Sequence, residues 1–454
     1  MMRPTRPTTN LSPNNLNATP SLRRDVAAAY VAAGSRVGAW AIVSAIVYRL
    51  AGPDHFGTLA LIRGAIGILN YTSVGLAPAL IRSFARTGEG PVPPEERAIY
   101  STGIFIATVS AIAALALAAI YALAFDRLHV VPAALLREAP WAVMLIGSGT
   151  LFRLFSDVSG ALLQTRGGIA LDNYLLAASD ASWALMTILL FRRPGLITAS
   201  ATYAIAGLFL AIARGVAVAH LNATPFPPRL KLIRAAILRP LIAFGSLVLL
   251  AQLAEYFYAP TDYILINHFF GPAEVAAYAP GVQIDMGLLM LVTGLAAVLL
   301  PKAALAHGAG DVSILRRYYI RGTLASTALL AVAAVVVWLS SSILFRVWFG
   351  PHPPATRQIL DLVLLGTVFG GSAAVGRSIL IGMGKIKAFT AAALIAGVVN
   401  VIASYCFVKY AHLGLRGILY GTVAAVIGRC AIWMPWFVMR AMRIPKFESR
   451  LKVE

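Results

Sequence analysis

TDYILINHFFGPAEVAAYAPGVQIDMGLLMLVTGLAAVLLPKAALAHGAGD, residues 261–311, decides how this chain folds. Long apolar runs meet at Gly271-Pro272, and with the residues before Thr261 each is long enough to cross a hydrocarbon core roughly 30 Å thick. Asp262 and Asp285 lie inside these runs, where an ionisable side chain is costly and needs a partner or a wet cavity. The stretch predicts the end of one membrane helix, a tight turn and the whole of the next, over 240–267 and 273–301.

The pattern holds outward from there. The chain is 59% hydrophobic and 12% charged, against about 25% charged residues in a soluble domain. Its mean hydropathy is +0.78. Further apolar runs predict helices over 26–48, 56–82, 98–125, 139–163, 170–191, 197–219, 318–345, 358–383, 387–410 and 414–439. The fold class expected is an all-α integral membrane protein of about twelve spans. In a soluble protein a net charge of +20 would suggest a nucleic-acid partner, but here most Lys and Arg fall in tails and short loops, as topology signals do. No nucleic acid is expected. Bases concentrate in the N-terminal segment, in 220–239, in alternate loops and after residue 440, which places both termini in the cytoplasm of a cell inner (plasma) membrane.

Sliding the chain by 219 residues pairs Gly52-Pro53 with Gly271-Pro272, Gly75-Leu76-Ala77 with Gly294-Leu295-Ala296, and Tyr100 with Tyr319. At 217, Phe152 meets Phe369 and Gly167 meets Gly384. The repeat predicts two six-helix lobes, 26–219 and 240–440, both entering the membrane in the same direction. Residues 1–25 read as a disordered cytoplasmic tail and 441–454 as a basic one. The linker 220–239 alternates bases with apolar residues and predicts an amphipathic helix on the cytoplasmic face, its cations near lipid headgroups.

Chemistry-bearing motifs are few. His residues form no HExxH pattern, no Gly-rich loop ends in Lys-Ser/Thr, and Cys406 and Cys430 lie in apolar runs. An enzyme is not expected, nor a metal centre. What stands out is charge within helices: Arg36, Arg63, Arg153, Arg214, Arg377 and Arg429. Arg36 and Arg63 lack an acidic neighbour at helical spacing. They read either as contacts to an anionic ligand or as interhelical ion pairs with Glu255, Asp262 or Asp285. Arg153 has Asp157 at i+4, a spacing that predicts a self-neutralising pair. Arg214 and Arg377 are near enough to helix ends to snorkel, and Arg429 is left open. Glu255, Asp262 and Asp285 suit a proton or Na+ site, and Asn400 and Ser404 share one helical face. Trp40, Trp183, Trp338, Trp348, Trp433 and Trp436 read mostly as interfacial anchors.

The 261–311 stretch resembles the second half of the polysaccharide-export (Wzx-like) flippases of the multidrug/oligosaccharidyl-lipid/polysaccharide (MOP) exporter superfamily. The resemblance rests on Asp262, Gly271, Glu274, Tyr278, Pro301 and Gly310-Asp311, with a weaker echo in RLAGPDHFGTLALIRG, 49–64, and in Asn400, Gly414, Gly417 and Thr422. It implies a V-shaped protein of two lobes that flips a polyprenyl-pyrophosphate-linked oligosaccharide to the outer leaflet by alternating access, for surface polysaccharide such as lipopolysaccharide or exopolysaccharide. On that reading Arg36, Arg63 and Arg429 contact the cargo. Asp262, Asn400 and Thr422 form a cation site between helices seven, eleven and twelve, with Glu255 and Asp285 nearby. No cofactor beyond a coupling Na+ or H+ is implied; the partners are membrane lipids, the lipid-linked glycan, a polysaccharide polymerase and glycosyltransferases. The alternatives are a cation-coupled multidrug exporter of the same superfamily and a membrane-embedded glycosyltransferase or ligase.

Overall fold

The computed structural model describes residues 20–67, 69, 76–84, 94–190, 195–220 and 228–443. The first lobe holds α1 (Pro20–Ala51), α2 (Pro53–Ile66), α3 (Leu76–Phe84), α4 (Pro94–Leu128), α5 (Ala139–Thr165), α6 (Ile169–Leu190) and α7 (Leu196–His220). The second holds α8 (Ala235–Tyr256), α9 (Ala259–Phe270), α10 (Pro272–Gly308), α11 (Val312–Phe349), α12 (Leu360–Gly382), α13 (Ile386–Lys409), α14 (Gly414–Val426) and α15 (Met434–Arg443). Among the described residues, counting α2 with α3, α8 with α9 and α14 with α15, each lobe has six helical paths. Among the described residues, 9 helices are long and apolar enough to cross a membrane. They turn their apolar side chains outward: Leu123 is 81% exposed and Ile343 71%. Such a surface needs lipid as its solvent.

The interruptions correct the expected continuous helices. Of the predicted helix 56–82, the described residues give α2 as far as Ile66, 3-10 backbone at Gly67 and Leu69, and α3 from Leu76; residue 68 and residues 70–75 lie outside the described residues. The predicted helix 240–267 breaks at Phe257-Tyr258, and Pro260 opens α9 at a position where its missing N–H costs nothing. The last path widens into a π-helical turn over Ile427–Trp433. Interrupted helices leave backbone groups unpaired inside the bundle, which transporters use to build binding sites.

The tails and linker also differ from expectation. Residues 1–19 and 444–454 lie outside the described residues, but Pro20 to Asp25, read as tail, already belong to α1. Within the expected amphipathic helix 220–239, residues 221–227 lie outside the described residues. The remainder forms a 3-10 turn at Leu230–Leu232 and then enters α8 at Ala235. Ile237, Leu238 and Leu241 pack into a first-lobe cluster with Leu80, Tyr100 and Leu162. Their apolar side chains therefore bury against protein.

The repeat is visible in the backbone. Gly52 (φ 91, ψ 176) and Gly271 (φ 85, ψ −178) hold the same conformation, closed to most L side chains, and each is followed by Pro at the start of a helix. Gly167 (φ 80) and Gly384 (φ 74) match likewise.

These turns mark the two ends of the bundle. The Gly52, Gly271 and Gly350 turns lie at the end that the basic-loop pattern assigns away from the cytoplasm, here the outer end. The hydrogen bonds that join the lobes gather there. Arg49 donates through Nε to Trp348 O (3.1 Å) and through a second N–H to Val347 O. Tyr48 Oη donates to His352 O (3.0 Å) and Trp348 Nε1 to Ala41 O (2.7 Å). Asn267 clamps the turn after α4, accepting from Val130 N (2.9 Å) and donating to Val130 O (3.0 Å). Beside it, burial pushes the His129 imidazole down to about 4, and the neutral ring holds Tyr121 Oη at 2.7 Å. Tyr48, Phe56 and Phe349 meet with ring centroids 5.1–6.1 Å apart. Beneath them α2 crosses α10 so closely that a Cβ on Gly57 would lie 1.8 Å from Pro272 O. The outer end is sealed.

Candidate functional site

Each lobe holds a cavity with charged side chains in its wall. The first-lobe cavity has a volume of about 420 Å³, with Arg36, Arg63, Arg153, Asp157, Asp180 and Tyr203 in its wall. Arg63 stands at its centre. Its Cζ lies 4.2 Å from the ring centroid of Trp40 and 5.1 Å from that of Trp183, and the two indoles are themselves stacked at 5.8 Å. Aromatic faces stabilise a guanidinium without neutralising it. Among the described residues Arg63 makes no ion pair within 4 Å, and its buried Nη1 has no hydrogen-bond acceptor. Trp40 and Trp183, expected at the interface, are instead buried in the cage.

The other arginines find partners the sequence reading did not assign. Arg36 Nε is 3.7 Å from Asp180 Oδ2, within its own lobe, so its neighbour is none of the second-lobe acids expected. Arg153 pairs with the same carboxylate, Nη2 to Oδ1 at 2.9 Å, and lies over Tyr203. The expected Arg153–Asp157 pair does not form. Asp157 accepts from Arg214 Nη1 at 2.8 Å. Arg214 does not snorkel either: at 3% exposure it donates Nε and Nη2 to Asp172 at 2.7 and 3.1 Å and Nη1 to Ser156 at 2.9 Å. Gly160 leaves room for the guanidinium, since a Cβ there would lie 2.7 Å from Cζ. An i+4 spacing permits a pair; three convergent acceptors from α5 and α6 outcompete it. Among the described residues, Arg36, Arg153 and Arg214 thus share the carboxylates Asp157, Asp172 and Asp180, and Arg63 is the arginine of this group that pairs with none of them.

The second-lobe cavity, about 300 Å³, is lined at its outer side by Asp262, Tyr278, Asp285, Thr367 and Thr422. Asp262 sits in the first turn of α9, just past the break in the seventh path. Its carboxylate is fully buried and accepts Tyr278 Oη at 3.0 Å, Thr422 Oγ1 at 2.8 Å and Asn400 Nδ2 at 3.3 Å. Asn400 also donates to Phe257 O at the break (2.9 Å) and accepts from Ser404 Oγ at 3.3 Å. Gly421 lets α14 approach α13, because a Cβ there would meet Ser404 Oγ at 2.2 Å. The structure therefore brings Asp262, Asn400 and Thr422 together. Asp285 stands apart from that cluster, taking Thr367 Oγ1 at 2.6 Å. The side chain of Glu255 lies outside the described residues. Arg429 lines the same cavity from the π-helical turn. Tyr278 enters the cluster as a donor, a role its place in the motif did not reveal.

Three donors converging on one buried carboxylate do the work of a counter-ion. A monovalent cation fits the same oxygens: the carboxylate, Thr422 Oγ1, Phe257 O and, with the amide turned over, Asn400 Oδ1. Among the described residues no three His, Cys, Asp or Glu side chains gather as a transition-metal site would need.

Residues 248–406, from α8 through Asp262 and Asn400 to α13, match the MatE family profile. The second lobe carries a MatE domain. Beyond that domain the whole chain has the fold of MOP-superfamily transporters. It is similar to an inward-facing multidrug resistance MATE family transporter of that superfamily, with a TM-score of 0.76, 15% identity, and coverage of 91% of this chain and 98% of that one. Against an outward-facing structure of such a transporter the TM-score is 0.60, at 14% identity over 93% and 95% of the two chains. A Pyrococcus furiosus MOP superfamily transporter, described as having a binding pocket of reversed polarity, aligns at 0.63 with 13% identity over 94% and 96%. No curated protein matches in sequence.

Proposed function

We propose that this chain is a flippase of twelve spans, with both termini in the cytoplasm of the inner membrane, which carries a polyprenyl-diphosphate-linked oligosaccharide to the outer leaflet. The observation that supports this most is Arg63, a guanidinium sandwiched by two indoles and lacking a carboxylate partner among the described residues. A permanently charged fork in a wet cavity suits a diphosphate, and aromatic faces beside it suit sugar rings. Alternating access follows from two lobes sealed at one end, with a polymerase and glycosyltransferases as the expected partners of the pathway. Asp262, Asn400 and Thr422 hold the coupling Na+ or H+ between lobe movements.

Complementation of a flippase-deficient surface-glycan pathway tests the cargo. Wild type is expected to restore surface glycan, and Arg63→Ala to lower it at least about tenfold at equal membrane abundance, with Arg63→Lys between them because the charge remains but the planar fork is lost. Wild type that inserts, restores no glycan and confers resistance to cationic drugs would move the reading to the multidrug exporter. That second reading draws on the structural likeness to multidrug transporters.

Asp262→Asn tests the coupling. In wild type, replacing choline by sodium at constant ionic strength, or lowering pH, is expected to raise the Tm of the purified protein. The amide should abolish that shift. An undiminished shift in Asp262→Asn places the coupling ion elsewhere.

A further inference from the structure

One short helix carries both the acidic cluster of the second lobe and contacts that hold that lobe to the first. α9 runs for 12 residues, from the break at Tyr258 to Gly271, which closes it at a φ of 85. Successive residues of a helix point about 100° apart, and Asp262 and Tyr263 accordingly face different partners. Asp262 takes its donors from α10, α13 and α14 of its own lobe. The Tyr263 ring, 7% exposed, lies against α2 of the first lobe, where a Cβ on Gly64 would meet Cδ2 at 2.6 Å and both Cγ and Cε2 at 3.3 Å. Gly64 is thus a notch that the ring fills, one residue from Arg63 and about two helical turns inward of Gly57, the notch that receives Pro272 O. Within the second lobe, Tyr263 meets Tyr278 edge-on, with ring centroids 5.2 Å apart and an interplanar angle of 69°. The hydroxyl of that same Tyr278 donates to Asp262 at 3.0 Å. About one turn further along α9, Asn267 holds both backbone groups of Val130 in the first lobe.

Building on the coupling role given above to Asp262, we propose that Tyr263 is a positioning residue through which a cation at Asp262 releases α9 from α2 and opens the outer end. With no cation present, the carboxylate draws Tyr278 Oη, Thr422 Oγ1 and Asn400 Nδ2 to itself as donors. That anchors the Tyr278 ring and gives Tyr263 a firm backing in its notch. A cation among the same oxygens repels any hydrogen aimed at the carboxylate, so the Tyr278 hydroxyl loses its acceptor and its ring loses its anchor. A proton on Asp262 acts in the same direction, because a neutral acid accepts a hydrogen bond less strongly than a carboxylate. Tyr263, tightly walled by Gly64 on one side, then has room to withdraw on the other. Ion and seal therefore compete. By linkage, the factor by which the ion opens the outer end is the factor by which sealing weakens ion binding.

Distances between spin labels at Leu50→Cys and Arg357→Cys, both exposed positions, test this on the full chain without Cys406 and Cys430 in phosphatidylcholine nanodiscs. The ion that raises the Tm of the wild type, sodium in place of choline or protons at lowered pH, is expected to raise its ratio of open to sealed outer ends about fivefold or more. Tyr263→Ala should keep the thermal shift, since the ligands of the ion remain, and lose the distance response. Tyr263→Phe, which keeps the ring, should retain both. Gly64→Ala works from the other wall: its methyl displaces the ring, so the outer end is expected to open without the ion. An ion-dependent distance change that survives Tyr263→Ala overturns the link, as does a Gly64→Ala protein as sealed as its parent. Loss of the thermal shift in Tyr263→Ala overturns it too, by making Tyr263 part of the ion site itself. A thermal shift in wild type with no change in distance overturns the link and leaves the cation site standing, whereas no thermal shift with either ion removes both. Since cargo enters none of these measurements, each outcome is distinct from a failure of glycan complementation.

Discussion

Gly57→Ala is expected to hold the outer end of the protein open. The added methyl carbon would lie 1.8 Å from Pro272 O and 3.2 Å from Ala276 N, both main-chain atoms that cannot rotate aside. Overpacking of this kind costs about 1–3 kcal/mol, enough to lower the sealed population by roughly one to two orders of magnitude. Ala is also the better helix former by nearly 1 kcal/mol, so α2 itself should be no less stable. The clash acts between lobes, and the lobes can part. Spin labels at Leu50→Cys and Arg357→Cys, in a background lacking Cys406 and Cys430, should report a short distance in the parent protein and a longer one once Gly57→Ala is added. An unchanged distance distribution would mean that α2 and α10 do not form the outer seal.

Removing Asp172 should cost more stability than removing Arg214 and Asp172 together. Asp172 is fully buried and receives Arg214 Nε and Nη2 as well as Gln164 Nε2 at 2.8 Å. Asp172→Ala leaves a guanidinium at 3% exposure with Asp157, itself 34% exposed, as its carboxylate partner. Breaking a buried pair from one side costs about 3–5 kcal/mol, whereas replacing both partners is often close to neutral. Thermal unfolding followed by tryptophan fluorescence should therefore place Asp172→Ala well below Asp172→Ala/Arg214→Ala in Tm. Additive losses in the two single variants would show that the pair is not a unit.

The order of helices was legible in sequence because each span is a long apolar run and two of the turns at the outer end begin with Gly52 and Gly271, both at positive φ and both followed by Pro. The interruptions were harder to see. Nothing in the apolar pattern marks the π-helical turn, since Ile427–Trp433 is mostly apolar and differs from an α-helix only in where its hydrogen bonds go. The clustering of Asp262, Asn400 and Thr422 came from family resemblance and not from spacing, as these residues lie on different helices. Ion-pair partners were the least legible. Arg36, Arg153 and Arg214 each choose carboxylates from another helix, and pairing across a bundle leaves no periodic trace. Trp40 and Trp183 misled for a related reason: an indole near a helix end suits a headgroup region, but the helix-to-helix distance decides that these two stack on each other and on Arg63.

The outer lock ends largely on main-chain oxygens: Trp348 O, Val347 O, His352 O, Ala41 O and Val130 O accept the side chains of Arg49, Tyr48, Trp348 and Asn267. An acceptor of this kind is supplied by any residue, so most contacts constrain the identity of the donor alone. Drift at Val347 or Val130 can proceed without compensating change across the interface. Relatives of this protein should accordingly preserve the closed form while showing little pairwise covariation between the lobes at these positions, and methods that infer contacts from correlated substitutions would place the lobes farther apart than they are.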